Sequence, residues 1–99
     1  MQRNKLVAYR LTKQAAEDLR HIHREGKRLF GREQADRYHL HLRTALEILA
    51  QNPKAARERK EITPPVRVHP SGSHLIVYVE NEIGGILVIR VRHCREDWQ

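Results

Sequence analysis

The sequence predicts an α+β domain of order β-α-α-β-β-β, in which a hairpin of two helices lies on a small antiparallel sheet. Three observations carry this. Apolar residues recur at helical spacing from Ala15 to Leu49. β-branched runs separated by turn-forming clusters fill the last third of the chain. A short alternating segment precedes the helices. The chain has 99 residues, room for one core, so residues 1–99 form a single domain.

Leu6 to Leu11 alternates loosely, with Val7, Tyr9 and Leu11 on one face, and reads as the first strand. Thr12 is placed to cap the first helix, and Glu17 and Asp18 follow early in it, where the helix dipole favours acids. Ala15, Leu19, Ile22, Gly26 and Leu29 form its core-facing stripe. Gly26 is either a weak point, costing about 1 kcal/mol relative to alanine, or a site of close packing. The helix runs to Phe30, and Gly31 fits the left-handed position that ends it.

The second helix has the cleanest periodicity, with Ala35, Tyr38, Leu42, Ala45 and Leu49 in one stripe and Leu46 widening it. Asn52-Pro53 stops it, because the residue before proline is pushed out of helical conformation. Two helices joined by about one residue must fold back on each other. Lys54 to Pro65, apolar-poor apart from Ile62, reads as a surface connection. Val66 to His69, His74 to Glu80 and Ile86 to Arg92 then form an antiparallel meander, separated by Pro70-Ser71-Gly72-Ser73 and Asn81-Glu82-Ile83-Gly84-Gly85. The sheet and the helix hairpin each have one apolar side, so the two layers pack together.

Lysine and arginine total 19 against 12 acids, a formal charge of +7, which draws the chain towards an acidic partner or a polyanion. The excess is local. Residues 1–32 carry nine basic and three acidic side chains, whereas residues 63–99 carry four of each. The longest uncharged apolar stretch, Ile83 to Ile89, contains two glycines and falls short of the ~20 residues that span a bilayer. The opening Met-Gln-Arg-Asn-Lys leads into no apolar signal core, so a cytoplasmic location is expected. A single cysteine, Cys94, allows neither an internal disulfide nor a zinc site of paired cysteines.

Candidate chemistry is sparse. His21 with His23, and His39 with His41, are two apart on helices, so their rings point about 200° apart and neither pair chelates one ion. No metal site and no cofactor are expected. Ser71 and Ser73 flank Gly72 in a turn and lack the surroundings of a nucleophile elbow. The closing strand is more informative: Arg90 and Arg92 share the face opposite Leu87, Ile89 and Val91, and His93, Arg95 and Trp98 follow. Arg67 brings a third cation to this surface if the register allows. Such a cluster suits recognition of phosphate or carboxylate. Trp98 either packs back on the helices or anchors a partner.

Taken together, Tyr9-Arg10-Leu11-Thr12, Ala15-Ala16-Glu17-Asp18-Leu19 with Ile22, the second helix with Ala35, Tyr38 and Leu42, the Asn52-Pro53 stop, and Ile89-Arg90-Val91-Arg92-His93 with Arg95, Asp97 and Trp98 resemble ParE toxins of the RelE/ParE superfamily. The resemblance covers about residues 7 to 98. Cys94 stands where the closing motif often has glycine, and Ser71-Gly72-Ser73-His74 replaces the more usual Gly-Arg-His turn.

The resemblance implies a toxin of a toxin-antitoxin system, held inactive by a ParD-like antitoxin and acting on DNA gyrase, with Arg90, Arg92, His93, Arg95 and Trp98 contacting the target at a chain end set away from the helix hairpin. A competing reading within the superfamily is a RelE-type nuclease that cuts messenger RNA on the ribosome through Arg67, Arg90, Arg92 and His93. Sequence-specific nucleic-acid binding by the toxin alone is not expected, because no helix presents clustered base-reading residues.

Overall fold

The computed structural model describes residues 8–95. Its elements are β1 (Tyr9–Leu11), α1 (Lys13–Phe30), α2 (Arg32–Gln51), β2 (Glu58–Arg59), β3 (Val66–Ser71), β4 (His74–Glu80) and β5 (Ile86–His93). Leu6 and Val7 of the predicted first strand lie outside the described residues.

Thr12 opens α1 as predicted: its hydroxyl accepts from the Ala15 amide at 3.0 Å. The same hydroxyl donates to the Ile89 carbonyl at 2.7 Å, so the cap also ties the helix start to β5. Glu17 and Asp18 miss the first turn, and Asp18 is instead committed to the sheet. Gly31 has φ 91°, a conformation that lets the chain reverse within one residue, and α2 starts directly. The hairpin is tightly packed near its turn, where a Cβ on Gly26 would sit 3.3 Å from the Ala35 Cβ.

The sheet has five strands in the order β1-β5-β4-β3-β2. The predicted meander is β3, β4 and β5, antiparallel throughout. The sheet as a whole is mixed, because β1 pairs parallel to β5, with Tyr9 opposite Ile86 and Leu11 opposite Val88. Two helices and three strands separate β1 from β5 in sequence, and a connection of that length allows a parallel partner. The segment read as a surface connection contributes β2, paired to Val66 and Arg67, and buries Ala56 in the core.

The core lies between the layers. Ala15 and Leu19 from α1 meet Leu42, Leu46, Leu49 and Ala50 from α2, Ile76 and Tyr78 from β4, and Ile86, Val88 and Val91 from β5. The predicted stripe of α2 is thereby in place, but that of α1 ends early: Leu29 is 58% exposed, since the sheet does not reach the last turn. The face assignment on β5 also changes. The ladder steps from Tyr78–Val88 to Val77–Arg90, leaving Ile89 as an extra residue. Across this bulge the buried set is Ile86, Val88 and Val91 instead of Leu87, Ile89 and Val91. Among the described residues no helix is long and apolar enough to cross a membrane.

Candidate functional site

A groove of about 800 Å³ opens where α1, α2, the β3–β4 turn and the last residues of β5 converge. Ile22, Gly26 and Ala35 line it deep between the helices, and Leu29 and the 63%-exposed Phe30 extend it towards the tip of the hairpin. Its polar wall is built from histidine and arginine. Six of the chain's seven histidines line it: His21, His23, His39, His41, His74 and His93.

These rings form two aromatic groups. His23 stacks on His39 across the helix pair with centroids 4.8 Å apart, and its Nε2 lies 2.7 Å from a carboxylate oxygen of Asp36. That bond to His23 holds the Asp36 carboxyl below its usual range. Burial, followed by the neighbouring His23 and Arg43, lowers the tendency of His39 to take a proton. The second group runs from His41 over Tyr38 to His74 and His93, with successive centroid separations of 6.1, 5.6 and 5.3 Å.

Tyr38 is the hinge of this second group. Its hydroxyl lies 2.6 Å from Nδ1 of His74, accepts from the Ser73 amide at 3.0 Å, and lies 3.4 Å from the Ser71 carbonyl. The turn crosses so close that a Cβ on Gly72 would fall 2.6 Å from the Tyr38 oxygen, and Gly72 has φ 59°. Burial raises the Tyr38 phenol above its usual value, so it stays protonated. His93 pairs with His74 across the strands, and its Nδ1 accepts from the Arg95 amide at 3.1 Å.

The predicted site residues divide. Arg90, Arg92 and His93 all line the groove, so the end of β5 faces the helix hairpin, contrary to the expectation that these residues stand away from it. Arg90 is held in a two-pronged ion pair with Asp18 at 2.8 and 3.0 Å. Arg95 is exposed at the end of the described chain, and Trp98 lies outside the described residues. Arg67 is elsewhere. It lies on β3 opposite Tyr78 and does not line the groove. Arg67 donates to the Ala56 carbonyl at 2.6 Å and to Glu80 at 3.1 Å. The four residues of the nuclease reading therefore do not converge.

Reading from sequence passed over Asp18, Tyr38 and His74 as groove residues. The available signal was the number of histidines, six of which fall on faces that one fold brings together. Among the described residues no three His, Cys, Asp or Glu side chains are gathered as a metal would require. Both acids that line the groove are paired, Asp18 with Arg90 and Glu25 with Arg28. An apolar floor, a cationic wall and neutralised acids make a surface for docking an acidic amphipathic chain.

Comparison with known proteins agrees with this architecture. Residues 9–98 match the family model described as the ParE toxin of the type II toxin-antitoxin system, parDE. The chain is 38% identical over 68 residues to Toxin ParE1 of Mycobacterium tuberculosis, in strains CDC 1551 / Oshkosh and ATCC 25618 / H37Rv, covering 69% of each chain. It also superposes on a chain of the chromosomal ParDE system from P. aeruginosa with a TM-score of 0.75 and 20% identity, covering 91% of this chain and 98% of that one, which shows a common fold. The match along nearly the whole described chain, on a fold of the same kind, places this protein in the ParE family of toxins of type II toxin-antitoxin systems.

Proposed function

We propose that this chain is a cytoplasmic toxin that acts on DNA gyrase and is neutralised by a ParD-like antitoxin seated in the histidine-lined groove. The observation that carries the proposal is the placement of Arg90, Arg92 and His93 inside that groove. An antitoxin segment lying there covers the residues assigned to the target, so neutralisation is direct occlusion. Arg95 and Trp98, next along the chain, extend the target contact. A segment that orders as it docks would gain affinity from the apolar floor and speed from charge, in keeping with the formal charge of +7.

The test is a supercoiling assay with purified toxin and gyrase, run beside a translating extract. Inhibited supercoiling or trapped cleaved DNA, with messenger RNA intact, is the expected result. Arg92→Ala and truncation before Trp98 should weaken the effect. Codon-positioned cuts in ribosome-bound RNA, lost on His93→Ala and accompanied by unaffected gyrase, would favour the nuclease instead.

A further inference from the structure

The basic excess on α1 lies outside the groove. Ala15 and Leu19 turn one side of this helix into the core, and the opposite side carries Lys13, Glu17, Arg20, Arg24, Lys27 and Arg28, all exposed and none of them lining the groove. Five cations and one acid thus form a ridge, about 21 Å long from Lys13 to Lys27 at ~1.5 Å per residue. We propose that this outward face of α1 seats against the phosphate backbone of duplex DNA, without reading its sequence. The proposal goes beyond the groove and depends on neither gyrase nor antitoxin.

Helix stability does not account for the ridge. The helix dipole favours Lys27 and Arg28 in the last turn but disfavours Lys13 in the first, where α1 has no acid. Arg24 stands four residues from both Arg20 and Arg28 and three from Lys27, spacings at which like charges oppose the helix. Glu17 pairs with Arg20 and Glu25 with Arg28, and among the described residues no carboxylate pairs with Lys13, Arg24 or Lys27. The outward side of α2 differs, carrying Glu33, Arg37 and Glu47 with the exposed Leu40 and Ile48. What the ridge lacks selects its partner. No large apolar side chain of α1 is exposed before Leu29, so the ridge has no anchor of the kind that centres a protein interface. No Phe, Tyr or Trp occurs between Lys13 and Arg28 on which the bases of a single strand would stack. A row of cations alone matches a partner that offers charge without apolar surface, which is a duplex backbone. A helix about 10–12 Å across also fits the mouth of the B-form major groove, about 12 Å wide between its phosphate rows, whereas that of A-form RNA is deep and narrow.

The test titrates the purified chain into a fluorescein-labelled DNA duplex of about 20 base pairs and reads anisotropy at about 50 and about 200 mM salt. Contact of all five cations with phosphates gives a log–log salt slope of about −4.5, so affinity should fall about 10²- to 10³-fold between the two. Arg24→Gln with Lys27→Gln should reduce the slope by about 2 and weaken binding alike on two unrelated sequences. Both positions are exposed and glutamine is a good helix former, so the fold is kept, as circular dichroism will show. Arg57→Gln with Lys60→Gln, exposed on and beside β2, removes the same charge and should leave the slope unchanged. No binding at the lower salt, or equal losses in the two double variants, overturns the proposal. Single-stranded DNA, duplex RNA or polyglutamate bound as tightly as the DNA duplex gives the ridge to another occupant and overturns it as well. The assay holds neither gyrase nor antitoxin, so its failure leaves the proposed function standing.

Discussion

Asp18 and Arg90 are 72 residues apart in sequence and form a two-pronged ion pair, and the same carboxylate also accepts from the Val91 amide at 2.9 Å. One acid on α1 thus fixes both a side chain and the main chain of β5, beyond the point where β1 ends its pairing at Val88. It closes an open strand edge and fastens the strand to the helix layer in one step.

Removal of Asp18 should therefore cost more than removal of Arg90. Asp18→Ala removes both prongs of the Arg90 ion pair and the acceptor of the Val91 amide, whereas Arg90→Ala leaves the Asp18–Val91 bond in place. A loss of about 1–3 kcal/mol for Asp18→Ala, and less for Arg90→Ala, is expected by denaturant unfolding. The double variant should show positive coupling between the two sites. Equal losses for the two single variants would remove the role assigned to the Val91 amide.

Leu42 is 1% exposed and sits between α1 and the sheet. Leu42→Ala should destabilise the fold by about 2–5 kcal/mol, because the surrounding layers close only partly on the cavity. A variant that melts with the parent protein would contradict the core described above.

Tyr38 holds the β3–β4 turn through its hydroxyl, so Tyr38→Phe should cost about 1–3 kcal/mol by removing the acceptor of the Ser73 amide and the hydroxyl bonded to His74. Gly72→Ala should be at least as damaging, since it places a methyl on the Tyr38 ring and strains a positive φ. Pairing Gly72→Ala with Tyr38→Ala should restore part of the loss, and thermal melting of the three variants reads it directly.

The unbound protein should lose stability in two stages on acidification. The folded pKa of His39 is depressed below 6.5 by burial, so the unfolded chain binds that proton first. Its contribution is complete above 6.5 and disappears as pH falls through the folded value. Asp36, lowered by its bond to His23, and Glu80, lowered chiefly by Lys54, contribute in full above their ordinary values of 3.8 and 4.5 and are lost only at more acid pH. Melting temperature followed from pH 7.5 to 3 should show both stages, and His39→Gln should flatten the first alone.

Periodicity alone determined the two helices, the three-strand meander and the stripe from Ala35 to Leu49, because spacing within a segment reports which side of it meets a core. Thr12 and Gly31 likewise acted locally, one as a helix cap and the other as a reversal. Contacts between layers were decided by the tertiary structure. The parallel pairing of β1 depends on where the helix hairpin returns the chain. The bulge at Ile89 shifts the buried face of β5, a one-residue change that no alternation pattern anticipates. Arg67 lies on β3 opposite Tyr78, outside the groove that Arg90 lines. Asp18, an ordinary early-helix acid by sequence, became the clasp of β5, and histidines spread from position 21 to position 93 became one groove wall, because side chains so far apart are neighbours only after both layers have docked.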